Sequence, residues 1–429
     1  MKGNLLIFMC FLAFGCTPLA QSSQNSASNP KALRFIDFAY EPQIRTAVIR
    51  PAFEDPQTYL EPAVTRLGDW KLMLEFDDLR DHRDTYYARI IHCNYDWTRS
   101  SLMDLDFLNE FNEFPVNNFE FSVDTHIPYV HYWLNLPPVK LPGNYIIIVY
   151  RGTDKNDIIL SKRFMVFDTR VGFENERNLI GAGNIASLNQ QINFMVNYKN
   201  LDVINPLENI KVAIRQNRRW DNIATDIRPS FVREIEKQLE YRFFESDKMF
   251  KGGNEFRFFD LRSLNNPGRN VARVNKTVRP YEVHIEPDKS RVDEVYSQLP
   301  DQNGGFIPDN LDLGGIAFTN YAYVNFRLMV PQANPGNVFV TGAFNYWNLN
   351  NENRMEYDSA SRSYKARILL KQGWYDYQYL IQSPRVPPYL YEGSHFQTEN
   401  FYEIFVYYRP FQPQADLLVG YIRLEKNPR

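Results

Sequence analysis

The sequence GNVFVTGAFNYWN occupies residues 336–348 and joins a strand-like run to a turn that ends in a large aromatic residue. Residues 338–341 are β-formers, and Gly342 then releases the chain from pleated geometry. The turn carries more side-chain area than a solvent-exposed loop needs, because it contains Phe344, Asn345 and Trp347. The pattern predicts a β-domain in which this turn packs against other parts of the protein.

A hairpin and a further strand follow this turn. Residues 355–357 and 364–370 flank a polar turn, and Gly373 begins another strand-like run. In this order the segment resembles the glycogen-binding, early-set immunoglobulin-like module, whose signature is a G-x-F-N-x-W turn, a hairpin and a G-x-Y-x-Y strand. The matching residues are Gly342, Phe344, Asn345, Trp347, Gly373, Tyr375 and Tyr377. The resemblance implies an early-set fold, with Trp347 as the type of aromatic on which a sugar ring stacks.

Length and charge set bounds on the class of protein. At 429 residues the chain is long enough for about three domains, each with its own core. Its 48 basic and 51 acidic residues leave a net charge of -3, which gives no field that recruits nucleic acid or an anionic membrane. The arginines between residues 215 and 279 are interleaved with acidic residues, so we expect no nucleic-acid partner.

The N-terminus is typical of an exported protein. Lys2 precedes an apolar run over residues 5–15 that is too short to span a bilayer, which predicts a signal peptide over residues 1–20. Cleavage after Ala20 is one alternative, and processing before Cys16 to leave a lipid-modified cysteine is the other, although bulky Phe14 departs from the usual lipoprotein signal. Residues 21–32 read as a flexible leader. Cys93 is then the one cysteine of a soluble mature chain, so the domains are expected to depend on their cores.

The rest of the chain alternates β-type runs with turn material, which predicts an all-β protein of tandem antiparallel β-sandwich domains, immunoglobulin-like or early-set. We predict an N-terminal sandwich over residues 33–169, a second over 170–287, a linker over 288–315 and an early-set domain over 316–429. Leucines recurring at threes also permit a short helix over residues 102–114. A helical period over residues 230–244 competes with strands there, and its β-branched and aromatic residues favour strands.

No arrangement of residues predicts catalysis, a cofactor or a metal. The histidines are scattered, and His126 and His131 lie five residues apart, not at the helical spacing of a zinc protease. Cys93 lies within a predicted strand without a nucleophile's turn. The mixed charges of residues 77–84 indicate a self-neutralising hairpin tip. We therefore expect a protein that is not an enzyme.

Two further stretches extend the resemblance beyond the last domain: FKGGNEFRFFDLRS at residues 250–263 and TYYARIIHCNYDW at residues 85–97. With a hairpin over residues 145–168 and the late early-set module, their order resembles the plug protein of the Bacteroidota type IX secretion system over about residues 33–425. The most distinctive residues are Gly252, Gly253, Asn254, Glu255, Phe256, Arg257, Phe259 and Asp260.

The resemblance implies a periplasmic protein held peripherally at the outer membrane, with a lipid anchor if Cys16 is processed. There it would bind a large translocon β-barrel and close its periplasmic mouth in the resting state. The alternative is an exported glycan-binding protein that uses the Trp347 face. Two departures count against it: Gln378 and Gln382 stand where the glycogen-binding modules carry a sugar-contacting Lys and an Asp of the following turn. An exported hydrolase with an unrecognised site is the third hypothesis.

Overall fold

The computed structural model describes residues 31–69, 71–175, 188–225, 227–242 and 250–428. The predicted signal peptide, Cys16 and all of the predicted leader except its last two residues lie outside the described residues. Within them the regular structure is almost entirely antiparallel β-sheet, which confirms the all-β prediction. Short 3-10 helices lie at Pro56–Leu60, Ile316–Phe318 and Ala343–Asn345.

The N-terminal sandwich consists of two sheets that pack face to face. One sheet has the order β1-β10-β9-β5-β6, with β3 added parallel to β10, and the other has the order β2-β4-β8-β7. The strands are β1 (Phe38–Ala39), β2 (Ile44–Pro51), β3 (Val64–Arg66), β4 (Leu72–Asp78), β5 (Tyr86–Cys93), β6 (Phe114–Pro115), β7 (Asn118–Phe121), β8 (Val130–Asn135), β9 (Gly143–Arg151) and β10 (Ile158–Phe167).

The helical pattern of residues 102–114 gives a single turn, α1 (Asp104–Phe107). The Asp106 carboxylate accepts the Met103 N–H at 2.7 Å and so begins the turn. Of the leucine stripe, Leu105 is 77% exposed, whereas Leu108 lies in the core and Leu102 packs partly buried against it. The helix ends after one turn because the stripe has no continuous apolar surface to cover.

The middle part of the chain forms a second sandwich. Its strands are β11 (Gly172–Asn175), β12 (Asn189–Gln190), β13 (Phe194–Asn197), β14 (Ile210–Gln216), β15 (Ile223–Ala224), β16 (Phe231–Arg233) and β17 (Gln238–Tyr241), with one helical turn, α2 (Pro206–Asn209). One sheet has the order β11-β13-β17-β16. Strands β16 and β17 confirm the strand interpretation for the described part of residues 230–244.

The remaining strands build the C-terminal sandwich and complete the middle one. They are β18 (Phe250–Lys251), β19 (Arg257–Asp260), β20 (Val271–Asn275), β21 (Glu282–Ile285), β22 (Asp288–Lys289), β23 (Phe306–Pro308), β24 (Tyr321–Met329), β25 (Asn337–Thr341), β26 (Glu356–Asp358), β27 (Ser363–Lys371), β28 (Gly373–Gln382), β29 (Asn400–Tyr408) and β30 (Leu417–Lys426). Strands β19, β23 and β25 pair with β28, and β20-β21-β24-β27-β26 form the facing sheet, to which β22 adds beside β24.

Strand pairing crosses the predicted domain boundaries. Strands β19 to β21, which the sequence assigned to the second domain, pair with β28 and β24 of the C-terminal sandwich. Strands β29 and β30, assigned to the last domain, complete the middle sandwich through the β14–β29 pair. The predicted linker also supplies β22 and β23 to the sheets. Local alternation of apolar and polar residues marks a strand but does not say which sheet it joins, so these boundaries were wrong.

Sheets stack so that the first two sandwiches share an apolar layer. Strand β9 is buried on both faces, which explains its continuous run Ile146–Ile147–Ile148–Val149. Ile147 and Val149 enter the N-terminal core, whereas Ile146 and Ile148 pack with Phe405 and Leu418 of the middle sandwich. The alternating side chains of one strand thus join two sandwiches.

Candidate interaction site

The turn after β25 is the point where the three sandwiches meet. Its shape follows from Gly342, where a Cβ atom would lie 2.6 Å from the carbonyl oxygen of Asp376. The Asn345 side chain accepts the Gly342 N–H at 3.2 Å and donates to the Val340 carbonyl at 2.9 Å. Tyr346 and the next residue then adopt the left-handed region, with φ of 57° and 61°. Two consecutive large residues in that region carry backbone strain that the surrounding contacts must hold.

Tyr346 and Trp347 point to different neighbours. The Lys162 ammonium of the N-terminal sandwich lies 4.1 Å from the Tyr346 ring centroid. The Arg219 guanidinium of the middle sandwich lies 4.4 Å from the Trp347 ring, and Phe256 packs edge-on at 5.8 Å. Trp347 is therefore only 6% exposed. A sugar-stacking platform needs an accessible ring face, so this geometry does not favour glycan binding at Trp347.

The other early-set signature residues lie in the core of the C-terminal sandwich. Tyr375 and Tyr377 are 1% and 2% exposed, and their hydroxyls donate to the Lys371 carbonyl at 2.5 Å and the Asp288 carboxylate at 2.7 Å. Phe344 packs edge-on against Tyr375 at 5.7 Å. The predicted residues are thus brought together by packing within this sandwich.

The distinctive stretch at residues 252–260 leads the chain into the C-terminal sandwich and includes its first strand, β19. A Cβ on Gly252 would overlap the His395 carbonyl oxygen, and Gly253 has a φ of 66°, so both positions require glycine. The Asn254 amide donates to the Glu392 carbonyl at 2.9 Å, and the Phe256 N–H donates to the Asp301 carboxylate. The stretch holds the loop 392–400 against β19.

The charged and aromatic members of the same stretch are also buried, except Asp260, which is partly buried. Glu255 accepts from the Tyr296 hydroxyl at 2.5 Å, and Phe259 stacks on Tyr375 at 5.3 Å. Asp260 accepts from Arg262 at 2.8 and 2.9 Å. Like the other residues of the stretch, these three stabilise the fold in this structure.

Glu392 binds two arginines beside β19. Arg257 and Arg291 donate to its carboxylate at distances between 2.6 and 3.1 Å, and the Tyr379 N–H donates at 2.8 Å. Burial alone would raise the pKa of Glu392, but the two guanidinium groups lower that pKa to about 2. The carboxylate therefore stays charged at any physiological pH.

The carboxyl groups of Asp376 and Asp301 lie beside the Trp347 turn, and their pKa values are raised where that of Glu392 is lowered. Asp376 is fully buried and accepts from the Trp374 indole at 3.0 Å and from the Gly304 N–H at 3.1 Å. Burial raises the pKa of Asp376 to about 7 against these hydrogen bonds. Burial and the nearby charges of Asp376 and Glu255 also raise the pKa of Asp301 well above its usual range.

A buried ion pair crosses from the N-terminal to the C-terminal sandwich. The Lys371 ammonium, 1% exposed, donates to Asp77 at 2.6 Å, and the same carboxylate accepts from His131 at 2.8 Å and from the Tyr321 hydroxyl at 2.6 Å. Burial would raise the pKa of Asp77, but Lys371 and His131 lower it. The hairpin-tip prediction was wrong for Asp77, because its partner is 294 residues away in sequence. It holds for Arg80, which pairs with Asp78 and Asp84 at 2.5 and 2.6 Å.

Apolar side chains are exposed where loops of the first two sandwiches meet. We call this surface the apolar rim; its members are each more than half exposed: Met103, Leu105, Ile204, Leu207 and Phe411. The loops are joined by the Ser101 hydroxyl donating to the Gln414 carbonyl at 3.2 Å and by the Arg409 N–H donating to the Asn209 carbonyl at 2.9 Å. Exposed apolar side chains on neighbouring loops are candidates for a protein interaction surface.

Three further observations concern metal binding, thiol chemistry and membrane crossing in the described residues. No group of three or more His, Cys, Asp or Glu side chains in that part of the chain has an arrangement that could hold a metal ion. Cys93 is buried, and burial raises the pKa of its thiol to about 12, which disfavours a thiolate nucleophile. None of the helices within the described ranges has the length and apolar character needed to cross a membrane.

Comparison with known proteins identifies the N-terminal sandwich. Residues 44–168 match the family described as type 9 secretion system plug protein 1st domain. Over these residues the chain is similar to the first domain of type 9 secretion system plug proteins, and the resemblance seen in the sequence is confirmed over that domain. This family is a non-catalytic kind of secretion component, and the match supports a role related to type IX secretion, an envelope location and contact with the secretion machinery.

The overall fold is also similar to that of a solved structure. The crystal structure of a hypothetical protein from Parabacteroides merdae ATCC 43184 shows a TM-score of 0.84 and 28% sequence identity, covering 92% of this chain and 100% of that chain. No curated protein matches the chain. The similarity extends the shared architecture from the N-terminal sandwich to nearly the whole chain.

Proposed function

We propose that this chain binds the large outer-membrane translocon barrel of the type IX secretion system and occludes its periplasmic mouth in the resting state. The observation that carries the proposal is the family match of residues 44–168. In this proposal the protein is periplasmic and peripherally associated with the outer membrane. Its task is a binding task that requires no reaction chemistry.

The way the sandwiches are joined supports an occluding role. Occlusion of a wide pore requires a broad unit that keeps its shape, and a chain of loosely linked domains would not provide one. Here the sandwiches share apolar layers and the buried Asp77–Lys371 pair, and the Trp347 turn contacts all three. The joined sandwiches thus offer a larger surface than one domain.

The apolar rim is the surface that we propose meets the barrel. Met103 and Phe411 are 73% and 84% exposed, and aromatic residues and Met are enriched at protein interfaces. The rim is formed by loops of two sandwiches, so a partner that binds there would hold both. We expect moderate affinity, because a plug must be released when a substrate passes.

Solute entry in four strains tests the proposal: wild type, a deletion of this gene, a deletion of the translocon gene, and the double deletion. We expect a large, normally excluded antibiotic to enter only the strain that lacks this protein and retains the translocon. Restoring the gene should restore exclusion, whereas a copy with Leu105→Ser and Phe411→Ser should restore it only in part. If the antibiotic entered the strain that lacks only this gene and the double deletion equally, the leak would not pass through the translocon and the proposal would be contradicted.

A further inference from the structure

A cavity of about 400 Å³ lies between the N-terminal and C-terminal sandwiches. Its volume falls within the range of about 300–1,000 Å³ that is usual for ligand sites. Three contacts bridge the sandwiches around it: the Asn348 amide donates to the Asp37 carbonyl at 3.1 Å, Arg45 donates to Glu352 at 2.6 Å, and the Thr46 and Tyr321 hydroxyls lie 2.6 Å apart. The two sandwiches thus touch around a space that neither fills.

One wall of the cavity is the edge of strand β27. The four consecutive residues 368–371 all line the space. Because alternate side chains of a strand point to opposite faces, consecutive lining residues show that the cavity meets the strand edge. Strand β26 pairs only with residues 363–365 of β27, so no strand within the described ranges covers residues 366–371 on that side.

The alternation of hydrogen-bonded and non-hydrogen-bonded residue pairs between β24 and β27 shows which backbone groups face the cavity. Leu369 lies opposite Tyr323 of β24, and the Tyr323 N–H donates away from β27, to the Tyr281 carbonyl at 2.9 Å. In an antiparallel pair, residues opposite each other either exchange both hydrogen bonds or neither. Leu369 therefore directs its N–H and C=O toward the cavity.

The opposite wall is the edge strand β2 at a β-bulge. The register with β4 shifts between Arg45 and Val48, and the β-branched residue Thr46 has a φ of 48°. A strained conformation of this type persists only where surrounding contacts enforce it, and such residues concentrate at binding sites. Both terminal groups of Arg45 bind Glu352, whereas its buried Nε has no hydrogen-bond partner among the described residues.

We propose that this cavity binds one extended peptide segment of a protein partner, which adds to the β27 edge at Leu369. A peptide supplies an N–H and a C=O at the spacing that a strand edge presents. Aromatic side chains of Phe38 and Tyr40 line the same space and can receive an apolar side chain of the segment. The peptide segment would belong to the translocon barrel, so this proposal rests on the proposed function.

Hydrogen exchange of the full-length chain, alone and with the purified detergent-solubilised translocon, tests this site. In the free chain the Leu369 amide should exchange faster than those of Ile368 and Leu370, which bond to β24. In the complex the Leu369 amide should become at least about tenfold better protected, as the amides of paired strands are, whereas those of Ile368 and Leu370 should change little. If no complex forms, the proposed function fails together with this site. A complex without that protection contradicts the peptide site alone.

Two matched variants check the same site without altering β27. Asn351 is exposed and lines the cavity, whereas Asn156 is exposed on a turn that does not. We expect Asn351→Trp to obstruct the cavity and weaken translocon binding by about tenfold, the equivalent of one or two lost hydrogen bonds. Asn156→Trp should bind like the wild type. Equal affinity for both variants would contradict the proposal, and protection of the edge by an added oligosaccharide would point to a sugar ligand in place of a peptide.

Discussion

The carboxylates of Asp77 and Glu392 are both buried, but they are balanced in different ways. Glu392 lies within the C-terminal sandwich and binds two arginines, whereas Asp77 reaches across to that sandwich and binds one lysine, with the His131 ring as a further partner in its own sandwich. The cost of removing a partner depends on what remains to balance the buried charge. The comparison indicates that the contact between sandwiches is more sensitive to loss of a single side chain than the contact within one.

The largest effect is expected for Lys371→Met. The variant leaves Asp77 buried without its ammonium partner, which should lower the free energy of unfolding by about 3–5 kcal/mol, measured by urea denaturation. The double variant Asp77→Asn with Lys371→Met removes the unbalanced charge and should recover part of that loss. A loss below about 1 kcal/mol for the single variant would show that the pair does not hold the sandwiches together.

A smaller effect is expected for Glu392→Gln. Arg257 retains its contact with Asp288 at 2.8 Å, and Arg291 retains the Glu255 carbonyl at 2.8 Å. The variant should therefore lose about 2–3 kcal/mol, the value of charge-assisted hydrogen bonds. If Glu392→Gln proved more costly than Lys371→Met under the same conditions, the comparison between the two carboxylates would be reversed.

Asp376 extends the comparison to a buried carboxyl with no direct cation partner. Its pKa of about 7 in the folded chain exceeds the value of about 3.9 in unfolded chains, so the folded state binds more protons between these values. The stability contribution of this group is complete below about pH 4 and is lost as the pH rises to about 7. The difference in unfolding free energy between wild type and Asp376→Asn should fall across that window. A difference independent of pH would mean that Asp376 is ionised throughout.

The smallest change in stability is expected at the apolar rim. Leu105 is 77% exposed, so Leu105→Ser should change the free energy of unfolding by no more than about 0.5 kcal/mol. If the rim meets the translocon, the same variant should weaken binding measurably. Unchanged binding by a variant of normal stability would separate the rim from the proposed interface.

Residues close together in the sequence were read correctly, and pairings across long separations were not. The strands around Gly342 and Gly373 were evident because alternation and turn residues act locally. The partners of Trp347 and Asp77 were not evident, since Arg219 and Lys371 come from distant strands whose own patterns give no sign of the pairing. The place of strands β29 and β30 in the middle sandwich was missed for the same reason, because the pattern of a strand does not encode its neighbour.

The stretch at residues 252–260 shows how a recognisable sequence can arise from the requirements of the fold. Its glycines are required by close approach of the 395 loop and by a positive φ, and its polar side chains hold buried partners. The apolar rim, in contrast, is assembled from three loops far apart in the sequence, with no local signal except unpatterned apolar residues such as Phe411. The resemblance in the sequence drew on the first kind of feature, and the proposed contact surface comes from the second.

Direct binding of the purified full-length chain to the detergent-solubilised translocon barrel is the measurement closest to the central claim. The account predicts saturable one-to-one binding that Leu105→Ser with Phe411→Ser weakens and that Asn156→Trp leaves unchanged. It also predicts that the bound chain lies at the periplasmic mouth when the complex is imaged. The absence of binding to a folded barrel, or binding at its extracellular face, would contradict the account.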